Sequence, residues 1–289
     1  MFNKLCIVEI KGGFGNQLFQ YNFASYLKSS GYKVKVNTSF YQTLVTQSEI
    51  TNRYQVLNEK IFGFKKTSKV ENFILDKLRK INDSKKIIRI FPNFKNSIYR
   101  YFKDDDFKKN TDLNRISHFD GYWQDKDYIE DQGKFLKDSL KKVPILQNAM
   151  SEEISENSFL IIVRRGDYLK MQQDLSDNYY SKCFENIQKI SNNPEINIFT
   201  DDINWVRNNS IFDSATMVYG PEDEPEKVLE LFSMMLRNKH YFVGNSTFSF
   251  FAALLGKKSD SKIFVANPWF RNRKTKNLIY EEWFKIDNT

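Results

Sequence analysis

The stretch 158–168, S-F-L-I-I-V-R-R-G-D-Y, sets the tightest limit on how this chain can fold. Phe159, Leu160, Ile161, Ile162 and Val163 run without a polar break and then stop at two arginines. A short apolar run ended by a polar turn reads as a strand buried on both faces, as in parallel sheets covered by helices. Periodicity alone also allows a buried helix segment, but Gly166 argues for a loop. Arg164 and Arg165 are then expected at the carboxyl end of a central parallel strand, where open α/β sheets place their ligands. Guanidinium groups there suit a phosphate, gripped by forked hydrogen bonds. The alternative is a surface pair neutralised by Asp167. An apolar strand has no need of two arginines at its exit, and this favours the phosphate.

The rest of the second half alternates around that strand. Strand 159–164 leads to a helix over 178–191, and strand 196–199 to Thr200-Asp201-Asp202 and a short helix through Trp205. Strand 217–219 leads through Gly220-Pro221 to a helix from Glu224 or Pro225 to about Arg237, capped by Asp223. Strand 241–243 leads to Gly244-Asn245-Ser246-Thr247-Phe248 and a helix over 248–255 ended by Gly256, and strand 263–266 closes the set. Strands separated by helical segments mean parallel βαβ units.

The first half opens on the same unit. Leu5–Ile10 reads as a strand, Lys11–Asn16 as a glycine-rich turn, and 17–30 as a helix stopped by Gly31, with a second strand at Val34 and Val36. Residues 41–115 resolve less well: a helix around 70–81, an apolar cluster at Ile87–Phe91, and loops elsewhere. His118–Gln124 reads as strand then turn, and Lys126–Leu140 as an amphipathic helix with Pro144 just beyond. The domain boundary is expected at 145–157, giving domains 1–150 and 151–289.

A 40% hydrophobic and 28% charged composition excludes a disordered chain. The net charge of +8 is uneven: residues 60–115 hold sixteen Lys and Arg against seven acids, a net of +9. A second basic cluster comprises Lys257, Lys258, Lys262, Arg271, Arg273, Lys274 and Lys276. No nucleic-acid motif accompanies them, so an anionic membrane surface or a solvated face is expected, and no nucleic acid. Cys6 and Cys183 have no metal spacing and fit a reducing compartment. His118 and His240 are too few for a histidine metal site. No apolar segment of 18 residues is present.

Two turns and one acidic pair carry candidate chemistry. Gly12-Gly13-Phe14-Gly15-Asn16-Gln17 lacks the third glycine of the dinucleotide fingerprint, which disfavours a nicotinamide oxidoreductase. It either offers backbone N–H groups and exposed Asn16 and Gln17 to an anion or sugar, or is a plain turn capped by Asn16. Ser246 and Thr247 either build a second phosphate cradle opposite Arg164 or simply cap a helix. Asp201 and Asp202 bind Mg²⁺ or a ribose, or cap the next helix. Asp104-Asp105-Asp106 is a further candidate metal site or a solvated turn.

Five segments, G-G-F-G-N-Q-L-F-Q-Y (12–21), G-Y-W-Q (121–124), V-R-R-G-D-Y (163–168), F-T-D-D-I-N-W (199–205) and N-S-T-F-S-F-F-A-A (245–253), together resemble the α-1,2-fucosyltransferases of glycosyltransferase family 11. The likeness runs in order from about 5 to 270. It implies an α/β, GT-B-like fold of two Rossmann-like α/β domains facing a cleft. It implies GDP-L-fucose as donor and metal-independent, inverting transfer to a galactoside, typically its 2-hydroxyl, in a bacterial surface glycan such as an O-antigen. The first domain would take the acceptor and the fucose, the second the GDP. Arg164 would bind the donor β-phosphate, and Asn16 would approach the fucose. Ser246, Thr247 and Phe248 would line the nucleotide site, with Gly13, Gly15, Gln17, Arg165 and Asp201 also on the donor side. Tyr122 and Trp123 would face the acceptor, which is a candidate for lipid linkage. Asp167 is the nearest carboxylate for a general base, and orienting the arginines is its other role.

Where the family often has a histidine two residues before the first arginine, this chain has Ile162. That contact is lost or supplied elsewhere, with His240 as the candidate. The start M-F-N-K carries no anchor, so a cytoplasmic enzyme at the inner face of the membrane is expected. The alternative is a non-catalytic GDP-sugar or glycan-binding protein on the same scaffold.

Overall fold

The computed structural model describes residues 4–42, 54–83, 98–104, 106–109, 111–220, 225–271 and 277–288. The chain divides into two compact units, Met1–Thr46 with Leu57–Ser139, and Gln47–Val56 with Leu140–Thr289. The expected cluster at Ile87–Phe91, the Asp223 cap, Pro221, Asp105 and the basic residues Arg273, Lys274 and Lys276 lie outside the described residues.

The first unit is built on a parallel sheet of five strands: β1 (Leu5–Glu9), β2 (Lys33–Asn37), β3 (Lys65–Lys66), β4 (Tyr99–Lys103) and β5 (Ile116–Asp120), in the order β3-β2-β1-β5-β4. The chain steps one way from β1 to β2 and β3, then returns to fill the other side, so the order reverses beside β1. Helix α1 (Phe14–Ser29) begins three residues earlier than its apolar pattern suggests, because Gly13 serves as its N-cap and Phe14 is buried. Helix α2 (Lys69–Asp83) lays Leu75 and Leu78 on a cluster of Ile7, Tyr99 and Tyr101. The long helix expected over 126–140 is broken. Gly133, in the left-handed region at φ 52°, separates α3 (Lys126–Gln132) from α4 (Phe135–Leu140).

Pro144 does not end a helix; it starts one, α5 (Pro144–Ser151), at the position where a missing N–H costs nothing. Leu146 and Ala149 bury one face of α5, which packs on helix α9 (Pro225–Leu236) of the second unit. The boundary therefore falls at Ser139/Leu140 and not at 150.

The second unit holds six parallel strands: β6 (Ser158–Val163), β7 (Glu195–Thr200), β8 (Met217–Tyr219), β9 (His240–Phe242), β10 (Ile263–Asn267) and β11 (Phe284–Asp287). β11 extends the sheet one strand beyond the expected end. The order β8-β7-β6-β9-β10-β11 is that of a Rossmann sheet, and it reverses between β6 and β9. The elements following these strands are α6 (Gly166–Lys170), α7 (Asp177–Ile190), α8 (Ile203–Arg207), α9 and α10 (Thr247–Gly256). Every residue of β6 is buried. Phe159, Ile161 and Val163 pack against Tyr179, Tyr180, Cys183 and Ile187 of α7. Each such fully buried large side chain contributes about 1.5–3 kcal/mol through apolar transfer.

Candidate functional site

Register fixes what meets at the carboxyl edge of the second sheet. Val163 pairs with Thr200, so Arg164 emerges beside Asp201; Ile161 pairs with Phe242, so the exit of β6 lies next to the turn after β9. These are the two strands at which the order reverses, the usual ligand crevice of an open α/β sheet. Arg164 Nη2 donates to Asp167 Oδ1 at 2.8 Å, and Nη1 lies 3.2 Å from Asp201 Oδ2. The guanidinium stands over the Tyr168 ring, and Tyr168 Oη donates to the Asn245 carbonyl at 3.1 Å, tying α6 to the turn after β9. Burial disfavours the Arg164 cation, but Asp201, Tyr168 and Asp167 outweigh it and hold its pKa above the ordinary value. Among the described residues, the two carboxylate contacts leave the rest of its five N–H donors uncommitted.

Asp201 is the hub of this edge. Its Oδ1 also accepts the Arg165 backbone N–H at 2.7 Å, and Gly166 lets it approach, since a Cβ there would come within 3.0 Å of Asp201 Oδ2. Arg165 faces differently from Arg164. Its guanidinium stacks 3.9 Å from the Trp205 ring centroid and its Nε donates to Asp202 Oδ2 at 3.3 Å. Asp202 also caps α8 by accepting from Trp205 N.

The turn 244–246 is held by hydrogen bonds. Gly244 has φ 62°, and Asn245 Nδ2 donates to the Gln173 carbonyl at 2.7 Å while its Oδ1 is buried without a partner among the described residues. Ser246 caps α10 by accepting from Phe248 N at 3.3 Å. The positive end of α10 thus opens beside Arg164, with Thr247 in its first turn. Phe248 stacks on Phe232. Ile162 packs beneath Gly244. His240 sits at the amino end of β9, paired with Phe159, its Nδ1 accepting from Lys262 N. It is four residues of strand, about 13 Å, from the Arg164 end. The structure therefore does not bring His240 to the Arg164 edge, so it does not stand in there for the histidine absent at 162.

In the first unit the glycine turn follows β1. The Gly12 carbonyl accepts from Gln17 Nε2 at 3.2 Å and from Tyr41 Oη at 2.9 Å. Gln17 is fully buried, so it is a strut of the turn and not the exposed donor-side group expected. Gly13 caps α1 without a side chain, and Gly15 is buried in its first turn. Asn16 is half-buried and accepts from Gln124 Nε2 at 2.8 Å. Tyr122 stays accessible beside Lys11, whose ammonium lies 5.4 Å from its ring centroid. Trp123 is 3% exposed, with its ring stacked 4.3 Å from Phe23, so it is core and not an acceptor platform. An open pocket of about 520 Å³ at this edge is lined by Tyr122 with Lys11, Lys103, Asp104, Asp106 and Asp120.

Sequence patterning passes over a buried polar group on the same sheet. Glu9 Oε1 lies 2.6 Å from His118 Nε2 and accepts from Asn37 Nδ2 at 2.8 Å; His118 Nδ1 meets Tyr99 Oη at 2.9 Å. A glutamate closing a strand reads as solvated, and only the register of β1, β2 and β5 reveals the group. Among the described residues, no set of three or more His, Cys, Asp or Glu side chains could hold a metal ion.

The model of glycosyl transferase family 11 matches residues 5–287. The alpha-1,2-colitosyltransferase of Escherichia coli is 28% identical, over 98% of this chain and 99% of its own. The O-antigen biosynthesis glycosyltransferase WbnK of Escherichia coli is 24% identical, over 45% of this chain and 45% of its own. Among solved structures, the fucosyltransferase NodZ from Bradyrhizobium is similar with a TM-score of 0.48 and 13% identity, covering 88% of this chain and 94% of that one.

Proposed function

The chain belongs to glycosyltransferase family 11, and from that premise we propose that it is an inverting α-1,2-fucosyltransferase moving L-fucose from GDP-L-fucose to a galactoside in surface-glycan synthesis. One observation carries the reading: Arg164, with N–H donors to spare, stands beside the capped start of α10 at the reversal point of a Rossmann sheet. Arg164 and the α10 N-terminus stabilise the charge that develops on the β-phosphate as the glycosidic bond breaks. Asp167 and Asp201 aim the guanidinium. Asn16 and Tyr122, on the first unit, serve the sugars. Incubation with GDP-L-fucose and a panel of galactosides tests it: fucosylated product linked at the 2-hydroxyl is expected, and GDP binding without product would return the chain to the sugar-binding alternative.

A second donor is favoured by the full-length relative, which is named for colitose transfer. Colitose is L-fucose without its 3-hydroxyl. A site that hydrogen-bonds that hydroxyl rejects the deoxy sugar strongly, whereas an apolar contact there discriminates weakly. Relative kcat/KM for the two GDP-sugars decides between them.

We further propose that transfer needs no metal. Asp201 and Asp202 already serve the arginines and the α8 cap. Turnover in excess EDTA should match the untreated enzyme; loss restored by Mn²⁺ or Mg²⁺ would promote these aspartates to ligands.

The acceptor is proposed to be lipid-linked and met at an anionic bilayer. No helix of the described residues is long and apolar enough to cross a membrane. The outward face of α2, however, presents Val70, Phe73 and Ile74, with Phe73 63% exposed and Lys77 over its ring. Lys69 and Lys80 flank them, a pattern that fits shallow seating among anionic headgroups. Sedimentation with phosphatidylglycerol vesicles at low salt should exceed that with neutral vesicles and fall in V70S/F73S. Equal binding to both lipids, or a dimer that V70S/F73S dissociates, would refute the membrane assignment.

A further inference from the structure

We propose that Glu9 is the base that takes the proton from the attacking acceptor hydroxyl, and that His118 and Asn37 hold it in place; the inference rests on the transferase reading above. Inversion at the anomeric carbon requires the acceptor O–H to lose its proton as the new C–O bond forms. A carboxylate or imidazole within hydrogen-bond reach serves that purpose. Glu9 is the last residue of β1, the middle strand of the first sheet, beside β5, where the strand order reverses. The glycine turn bearing Asn16 follows directly. Fold and sequence thus put this carboxylate at the ligand edge of the unit assigned to the sugars.

Its surroundings distinguish it from the other carboxylates at that edge. Oε1 is fixed by His118 Nε2 and Asn37 Nδ2. The hydrogen bonds of Glu9 among the described residues both fall on Oε1, and the side chain is 15% exposed, against 3% for His118. The His118 ring bridges the group, with Nδ1 hydrogen-bonded to Tyr99 Oη and Nε2 to Glu9 Oε1. Glu9 therefore keeps one oxygen for a substrate proton while His118 and Asn37 hold the other. Asp120 stands one strand away but is bound to the Lys11 ammonium and the Tyr101 hydroxyl. Burial raises its pKa, yet those partners outweigh burial and leave it below the usual carboxylate value, a poor setting for a base. Asp104 accepts from Trp123 N, Asp106 from Lys103 N, and Asp167 from Arg164. A buried ionisable pair such as Glu9–His118 adds little stability over an apolar pair of similar volume, so stability alone gives no reason for it.

The step balances without a co-reactant. The acceptor oxygen bonds to the anomeric carbon as its proton passes to Glu9 Oε2. The bond from the anomeric carbon to the β-phosphate oxygen breaks, and GDP departs with that electron pair. Glu9 later returns the proton to water.

The test compares Glu9→Gln with wild type under GDP-L-fucose and a galactoside acceptor. Glutamine keeps the Asn37 and His118 contacts but cannot take a proton. Turnover should fall by about 100-fold or more, the usual scale for losing a general base, with GDP affinity by calorimetry unchanged. Activity of the wild type against pH should decline on the acid side as the base is protonated, and Glu9→Gln should lack that limb. Ionisable groups sharing this face are His118 and Asp120 on β5, Tyr99, Tyr101 and Lys103 on β4, Lys33 and Lys35 on β2, Lys65 on β3, Glu71 and Arg79 on α2, and Lys11 in the turn. Glu9→Asp, which retains a carboxylate, should keep the limb at reduced rate and covers the case of a Gln variant that fails to fold. His118→Gln should shift the limb's midpoint with a smaller loss of rate, as expected of a positioning residue. A wild type that forms no product overturns the reaction and the base together. A wild type that forms product while Glu9→Gln keeps both rate and limb overturns Glu9 alone, as does a limb lost only in Asp120→Asn.

Discussion

Replacing Arg164 with alanine is expected to cut turnover by about 100-fold or more, the scale of losing one preorganised charge stabiliser, and to weaken GDP itself. Among the described residues of this edge, Arg164 is the guanidinium with donors unused, since Arg165 is stacked on Trp205. The substitution also leaves Asp167 and Asp201 without their shared cation, so the edge proposed to meet the diphosphate becomes more negative. Arg164→Lys should recover little. An ammonium is a point charge without the planar fork, and two carboxylates would draw it away from a phosphate. Steady-state rates and GDP calorimetry on both variants check this. A lysine variant with near-native rate and GDP affinity would refute the phosphate assignment.

The second large effect is on stability. Gly244→Ala should destabilise the second unit by about 2 kcal/mol, from left-handed strain of about 1 kcal/mol and a further cost of overpacking. Gly244 holds φ 62°, and a Cβ would lie 3.0 Å from Ile162 Cγ2 and 3.1 Å from Leu175 Cδ1, both deep in the core. Asn245 Nδ2 is hydrogen-bonded to Gln173, so the turn cannot slide to make room. For a unit of this size the melting midpoint should drop by roughly 4–8 °C. Relief of the clash would displace Ser246 and the start of α10, so GDP affinity should fall with it. Scanning calorimetry with and without GDP measures both, and an unchanged midpoint would mean that the turn is softer than it looks.

Much of this was legible from the chain alone where local rules and tertiary outcome agree. The apolar run of β6, stopped by two arginines and Gly166, favoured a buried strand over a buried helix segment, and the turn residues after β6 and β9 marked the edge that carries Arg164 and Ser246. Reading failed where contacts distant in sequence decide. Trp123 carries the same aromatic signature whether it meets a sugar or Phe23, and only the stacking of α1 on the turn makes it core. Gln17 follows a glycine turn as an exposed side chain would, yet it is spent on the Gly12 carbonyl. His240 could be aimed at the nucleotide only while its place along β9 was unknown, because a strand's two ends face different chemistry. Pro144 and Gly133 are helix breakers in sequence but act as a start and a hinge point between helices. Glu9 and His118 lie 109 positions apart, and no periodicity links them.

The pairing of Arg165 with Trp205 bears on how this chain can tolerate change. Two adjacent arginines look like a duplicate, one able to stand in for the other. They are not interchangeable parts. For Arg165 to turn toward a phosphate it would have to leave the indole face and give up Asp202, whose other oxygen begins α8. The neighbour is locked into the architecture, so a lineage that loses Arg164 has no spare beside it. Recovery would have to come from a new cation grafted elsewhere on that edge, with Asp167 and Asp201 already in place to receive it.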